Sequence, residues 1–96
     1  MKVARITIST IEAQAVTMMQ AICEDRGQCK FLGNERGEGN EITFLVGMDR
    51  PSDAKIIFDA RVLANDLPGV GVPFTLQSIE VVSTESCCLP YAALLG

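Results

Sequence analysis

The chain predicts an α+β domain of ferredoxin-like βαββαβ type, an antiparallel four-stranded sheet with two helices on one face. Three observations carry this expectation: runs that alternate apolar and polar residues at period two, two stretches whose apolar residues recur at helical spacing, and their order. That order is strand, helix, strand, strand, helix, strand, and it fills nearly all of the 96 residues.

The first strand is expected over Lys2–Ser9, where Ala4, Ile6 and Ile8 alternate with Val3, Arg5 and Thr7, so that the even positions face a core. The first helix is expected to open at Ser9-Thr10-Ile11-Glu12, a capping-box pattern in which a hydroxyl and a carboxylate satisfy orphan backbone donors. On a helical wheel Ile11, Ala15, Met18, Met19 and Ile22 share one stripe, and Thr10, Gln14, Thr17, Gln20 and Glu24 the opposite one. Gly27 should end this helix, since a residue without Cβ takes the left-handed conformation at little cost.

A second strand is expected at about Gln28 to Gly33 and a third over Glu41–Met48. The segment between them, Gly33 to Asn40, holds three glycines with charged and turn-forming residues and reads as a mobile hairpin tip. In the third strand Ile42, Phe44, Val46 and Met48 should face the core, with Glu41, Thr43 and Leu45 turned away. The second helix should run from near Ser52, capped by Asp49 or Ser52, to Leu67 and stop at Pro68-Gly69. Its buried stripe is Ile56, Ile57, Ala60, Leu63, Ala64 and Leu67. The fourth strand, about Thr75 to Ser83, places Leu76 and Ile79 on opposite faces unless a bulge intervenes.

With 48% of the residues apolar, a chain of this length can bury a modest core as a single domain, expected over residues 1–86. Residues 87–96 form an apolar tail expected to dock on the domain or on a partner. No apolar run approaches the roughly 18 residues that suggest a membrane span, and Lys2 leads straight into an alternating strand without the apolar block of a signal peptide. A cytoplasmic location with no membrane contact is therefore expected. The eight basic residues are scattered from Lys2 to Arg61, whereas a polyanion needs them clustered. The outward positions of the first and third strands (Arg5, Thr7, Thr43 and Leu45) carry no aromatic on which bases could stack, so no nucleic-acid partner is expected.

Chemistry is bounded first by the absence of histidine, which removes the imidazole base, the Ser-His and Cys-His pairs and mixed Cys/His zinc sites. No carboxylates are held by spacing as an acid/base pair. The two Gly-x-Gly sequences, at Gly37 and at Gly69, do not join a strand to a helix as a dinucleotide fingerprint requires. No catalytic residue, no cofactor and no metal site is expected. The four thiols, Cys23, Cys29, Cys87 and Cys88, lack the C-x-x-C spacing of a thiolate metal site. The proposed topology puts all four at one end of the sheet, with the second and fourth strands as edges roughly 14 Å apart. Unpaired cysteine packs as a small hydrophobe, and Cys23 lies on the margin of the apolar stripe.

Two surfaces stand out. One gathers loops at an end of the sheet, with Ser9 and Thr10 at a helix start beside Asn34, Arg36, Gly37 and Gly39 in the tip, a place where a ligand could bind. The other is on the second helix, where Phe58 and Val62 are four residues apart and share the polar face with Lys55, Asp59 and Asp66. With Leu89 and Tyr91 of the tail, they form the expected interface for a protein partner or for self-association. The expected function is a small regulatory or adaptor protein without catalysis. The alternative is thiol-based redox or metal binding through Cys87 and Cys88, with Cys23 or Cys29.

Overall fold

The computed structural model describes residues 1–83. Strands β1 (Lys2–Ser9), β2 (Lys30–Arg36), β3 (Glu41–Met48) and β4 (Thr75–Ser83) form one antiparallel sheet in the order β2-β3-β1-β4. Helices α1 (Ala15–Arg26) and α2 (Asp53–Asn65) complete the βαββαβ order of a ferredoxin-like fold. Residues Cys87, Cys88, Leu89 and Tyr91, and with them the expected tail, lie outside the described residues.

Period two places Ala4, Ile6 and Ile8 of β1 opposite Val46, Phe44 and Ile42 of β3, and all six are buried in the core beneath the helices. Along α2 the stripe of Ile56, Ala60, Leu63 and Ala64 is buried, and Ile57 is half-buried at its margin. Ser52 caps this helix, its Oγ accepting from the Lys55 amide at 3.2 Å. Beyond it a 3-10 turn over Pro68–Val70 begins on the proline, whose missing donor is not needed there. The bulge needed in β4 is present: Thr7 pairs Ser78 while Ile8 pairs Leu76. Gln77 is thereby displaced from the ladder, and Leu76, Ile79 and Val81 all pack against the same core.

Three expectations change. The capping box at Ser9-Thr10-Ile11-Glu12 does not form, because Ser9 completes β1 and α1 begins at Ala15 after a turn. The Ser9 hydroxyl it needed is engaged with a distant segment, its Oγ accepting from Gln77 Nε2 at 2.9 Å, and beside it Thr10 Oγ1 donates to the Pro73 carbonyl at 2.7 Å. Ile11, left outside the helix, is 86% exposed instead of joining the apolar stripe, which consists of Ala15, Met19, Ile22 and Cys23.

The second change is in β2, which occupies Lys30–Arg36 rather than Gln28 to Gly33. A register shift between Phe31 and Gly33 leaves Leu32 as the extra residue, and Gly33 at φ 142° takes a backbone conformation that side-chain-bearing residues avoid. Asn34, Glu35 and Arg36 then pair with Phe44, Thr43 and Ile42, so the hairpin tip is only residues 37–40. It is closed by the Gly37 amide on the Glu41 carbonyl at 3.0 Å.

Third, the helix-free face is apolar at one end. Leu45, expected to turn outward, is buried there with Val3 and Leu32, and Val82 packs against them. Thr43 on the same face is buried and shares a 2.8 Å hydrogen bond with Thr7. Among the described residues this face holds no aromatic, since Phe31, Phe44 and Phe74 belong to the helix-side core and Phe58 to α2.

Candidate functional site

The antiparallel register sets which loops meet. Lys2, Lys30, Met48 and Ser83 lie at one end of the sheet, and Ser9, Arg36, Glu41 and Thr75 at the other. At the first end, the exit from α1, the entry to β2 and the turn from β3 into α2 enclose a cleft of about 620 Å³.

Gly27 builds one wall. At φ 72° it reverses the chain after α1, its amide donating to the Cys23 carbonyl at 3.1 Å, a helix ending that favours a residue without Cβ. The reversal brings Cys29 back under the last turn, where its Sγ faces the same Cys23 carbonyl at 3.9 Å. Cys23 is buried and Cys29 half-buried, and only Cys29 lines the cleft.

Arg50 builds the opposite wall. Its guanidinium donates to Asp59 Oδ2 at 2.6 Å, to the Asp49 carbonyl at 2.9 Å and to the Gln28 carbonyl at 3.2 Å. One side chain thus ties the β3–α2 turn to the α1–β2 turn and to α2. Arg50 and Asp59 are only 17% and 20% exposed, so solvent screens this pair less than a surface ion pair. Asp59 also accepts from Lys55 Nζ at 3.0 Å, and Arg50 and then Lys55 hold its carboxyl below the usual carboxylate range. Arg26 reaches Asp66 Oδ2 at 2.6 Å, and among the described residues the lining then carries three cations against the one carboxylate of Asp59.

This setting divides the two thiols. A hydrogen bond from Cys23 stabilises the Cys29 thiolate, and the positive charges of Arg50 and Arg26 add to it. Together they outweigh burial and the Asp59 charge and bring the Cys29 thiol down to about 7. Cys23 is pushed well above the ordinary thiol range by that same contact, by burial and by the charges of Cys29 and Glu24. Among the described residues no group of three or more histidine, cysteine, aspartate or glutamate side chains is gathered as a metal site would need.

The cleft continues onto the outer surface of α2. Val62 lines it, and one turn away Phe58 is 62% exposed with Lys55 Nζ 5.2 Å from its ring centroid. The apolar pair singled out in the sequence therefore borders a basic cleft.

At the other end, Ser9 and Thr10 border an open depression with Asn40 and Pro73. Both Thr10 donors are engaged: its hydroxyl donates to the Pro73 carbonyl and also accepts from the Glu12 amide at 3.1 Å, while its own amide donates to the Asn40 carbonyl at 3.0 Å. Asn34 and Arg36 stand on the edge strand, and Gly37 and Gly39 in the tight turn. None of these four lines the depression. No helix begins at Ser9 or Thr10: the helix start expected there lies at Ala15.

The cleft is not visible along the sequence because its members come from two stretches, 26–29 and 48–63, that meet only in the folded sheet. One signal could have found it: in this strand order the end of β3 lies beside the start of β2, which puts Arg50 next to Cys29. Comparisons with protein-family models, with curated proteins and with solved structures gave no match, so the functional reading rests on the residues themselves.

Proposed function

We propose that this chain is a small regulatory or adaptor protein of the cytoplasm that acts by binding a protein partner through the outer surface of α2. The observation that supports this reading is Phe58, 62% exposed on an otherwise polar helical surface and continuous through Val62 with the cation-lined cleft. An apolar anchor beside a cation-lined cleft suits a partner segment that offers an aromatic or aliphatic side chain next to a carboxylate. The bond from Lys55 to Asp59 and its position over the Phe58 ring hold that cation at the junction of the two.

Phe58→Ser tests it. The variant should keep the thermal midpoint of the parent while partner recovery, quantified by mass spectrometry against the parent chain, falls about tenfold, equivalent to ~1.4 kcal/mol. Sedimentation of the purified chain separates self-association from capture of another protein. Unchanged recovery and unchanged sedimentation in Phe58→Ser would remove the reading.

A further inference from the structure

We propose that Cys29 and Cys23 form a peroxide-reactive thiol pair, in which Cys29 takes the oxidant at the cleft and Cys23 resolves the product as an intramolecular disulfide. The inference does not depend on the partner surface. It rests on arrangement: the left-handed turn at Gly27 returns Cys29 to the Cys23 carbonyl at 3.9 Å, and Cys29 alone of the two opens to the cleft, between Arg26 and Arg50. A half-buried thiol flanked by two guanidinium groups, with a second thiol behind it, differs from cysteine packed as a hydrophobe.

The chemistry balances with a hydroperoxide as oxidant. The Cys29 thiolate attacks one peroxide oxygen, the O–O bond breaks, and the departing oxygen leaves as water or an alcohol after taking a proton from solvent. Cys29 is now a sulfenic acid. The Cys23 sulfur then attacks the Cys29 sulfur, an S–S bond forms, and the hydroxyl leaves with the Cys23 proton as water. Two thiols and one hydroperoxide give one disulfide, one water and one alcohol or second water.

The surroundings impose this order. Groups facing Cys29 are Cys23 and Arg26 from α1, Arg50 from the β3–α2 turn, and Asp59 and Lys55 from α2. Cys29 is the attacking group because, of the two, it alone opens to the cleft while Cys23 is buried, and the Cys23 contact and the cations of Arg50 and Arg26 favour its thiolate there. Cys23 is held protonated foremost by its contact with Cys29, and partly by the Cys29 charge. Conversion of Cys29 to an uncharged sulfenic acid removes that charge, so the resolving thiol is released to react only after the first step.

The test uses the full chain, reduced and then exposed to equimolar hydrogen peroxide at neutral pH. Trypsin cuts after Arg26 and Lys30, which places the cysteines on separate peptides, so the disulfide is read by mass spectrometry as a joined pair. The expected result is the Cys23–Cys29 link as the main product, formed equally in a Cys87→Ser, Cys88→Ser variant. Cys23→Ser should stop at a Cys29 sulfenic acid trapped by dimedone. The pH midpoint of Cys29 alkylation should lie near 7 in the folded chain, against about 8.5 in denaturant, and rise in Arg26→Gln, a substitution at a more exposed side chain than Arg50. Equal midpoints in folded and denatured chain would overturn the proposal. So would a peroxide product that leaves Cys23 reduced while Cys29 pairs with Cys87 or Cys88.

Discussion

The two ends of the sheet carry comparable sets of polar side chains and use them in opposite ways. At the end holding Ser9, Thr10, the 37–40 turn and Pro73, the Thr10 hydroxyl and amide bond to other parts of the chain, and the Ser9 hydroxyl takes a bond from Gln77. These bonds close the loops onto the domain. At the end holding Cys29, Arg50 and Lys55, the cations also bridge segments, yet they line a cleft of about 620 Å³ with a half-buried thiol in its wall. Among the described residues Arg50 spends three of the five N–H groups of its guanidinium on these bridges.

The contrast can be broken by substitution, and core packing sets the upper bound. Leu63, 2% exposed, also forms part of the cleft floor, and Leu63→Ala should cost about 2 to 5 kcal/mol in denaturant unfolding as a core cavity. Next in size is the Arg50 clamp. Arg50→Gln should cost about 1 to 3 kcal/mol by the same measurement, since it removes charge-assisted bonds from a largely buried Asp59.

That variant also has a pH signature. The folded state holds the Asp59 carboxyl below its ordinary value of 3.8. Its contribution to stability is therefore complete above that pH and is lost as pH falls through the lower folded value. Acid unfolding of the parent should steepen below about pH 4, and Arg50→Gln should flatten that limb. An identical acid limb in the two proteins would show that the clamp contributes nothing through this carboxylate.

At the opposite end, Thr10→Val should cost about 1 to 2 kcal/mol, because the Pro73 carbonyl and the Glu12 amide lose their partner. It should leave partner recovery unchanged. A loss of binding in this variant with no loss of stability would reverse the roles assigned to the two ends. The smallest effect is expected for Phe58→Ser, which should shift the stability of the isolated chain by no more than about 0.5 kcal/mol. A loss as large as that of Leu63→Ala would mean that the aromatic is packed within its own domain.

The parts of this fold that were legible in the sequence are those specified by local pattern. β1 and β3 alternate cleanly, and the α2 stripe repeats at helical spacing with Ser52 at its cap, so strand order and the buried face follow from a few dozen residues. The start of α1 was not legible because Ser9 and Thr10 have a better use for their hydroxyls than capping, in contacts with Gln77 and Pro73 far along the chain. The extent of β2 was hidden for a related reason. Asn34, Glu35 and Arg36 have weak strand preference, and pairing with β3 overrides it. Of the candidate residues, Phe58 and Val62 were legible as a break in the polar face of a helix. The cleft between Cys29 and Arg50 was not, since it exists only once the stretches 26–29 and 48–63 are brought together.

The proposed function requires that the Phe58 end of the molecule, and not the glycine-rich end, meets the partner. Its most direct test places a photoreactive side chain at position 58 in one variant and at position 38, in the exposed hairpin turn, in another, and compares cross-linked adducts formed in cells that express the protein. The account predicts a discrete adduct from position 58 and none from position 38. An adduct from position 38 with none from position 58 would contradict it.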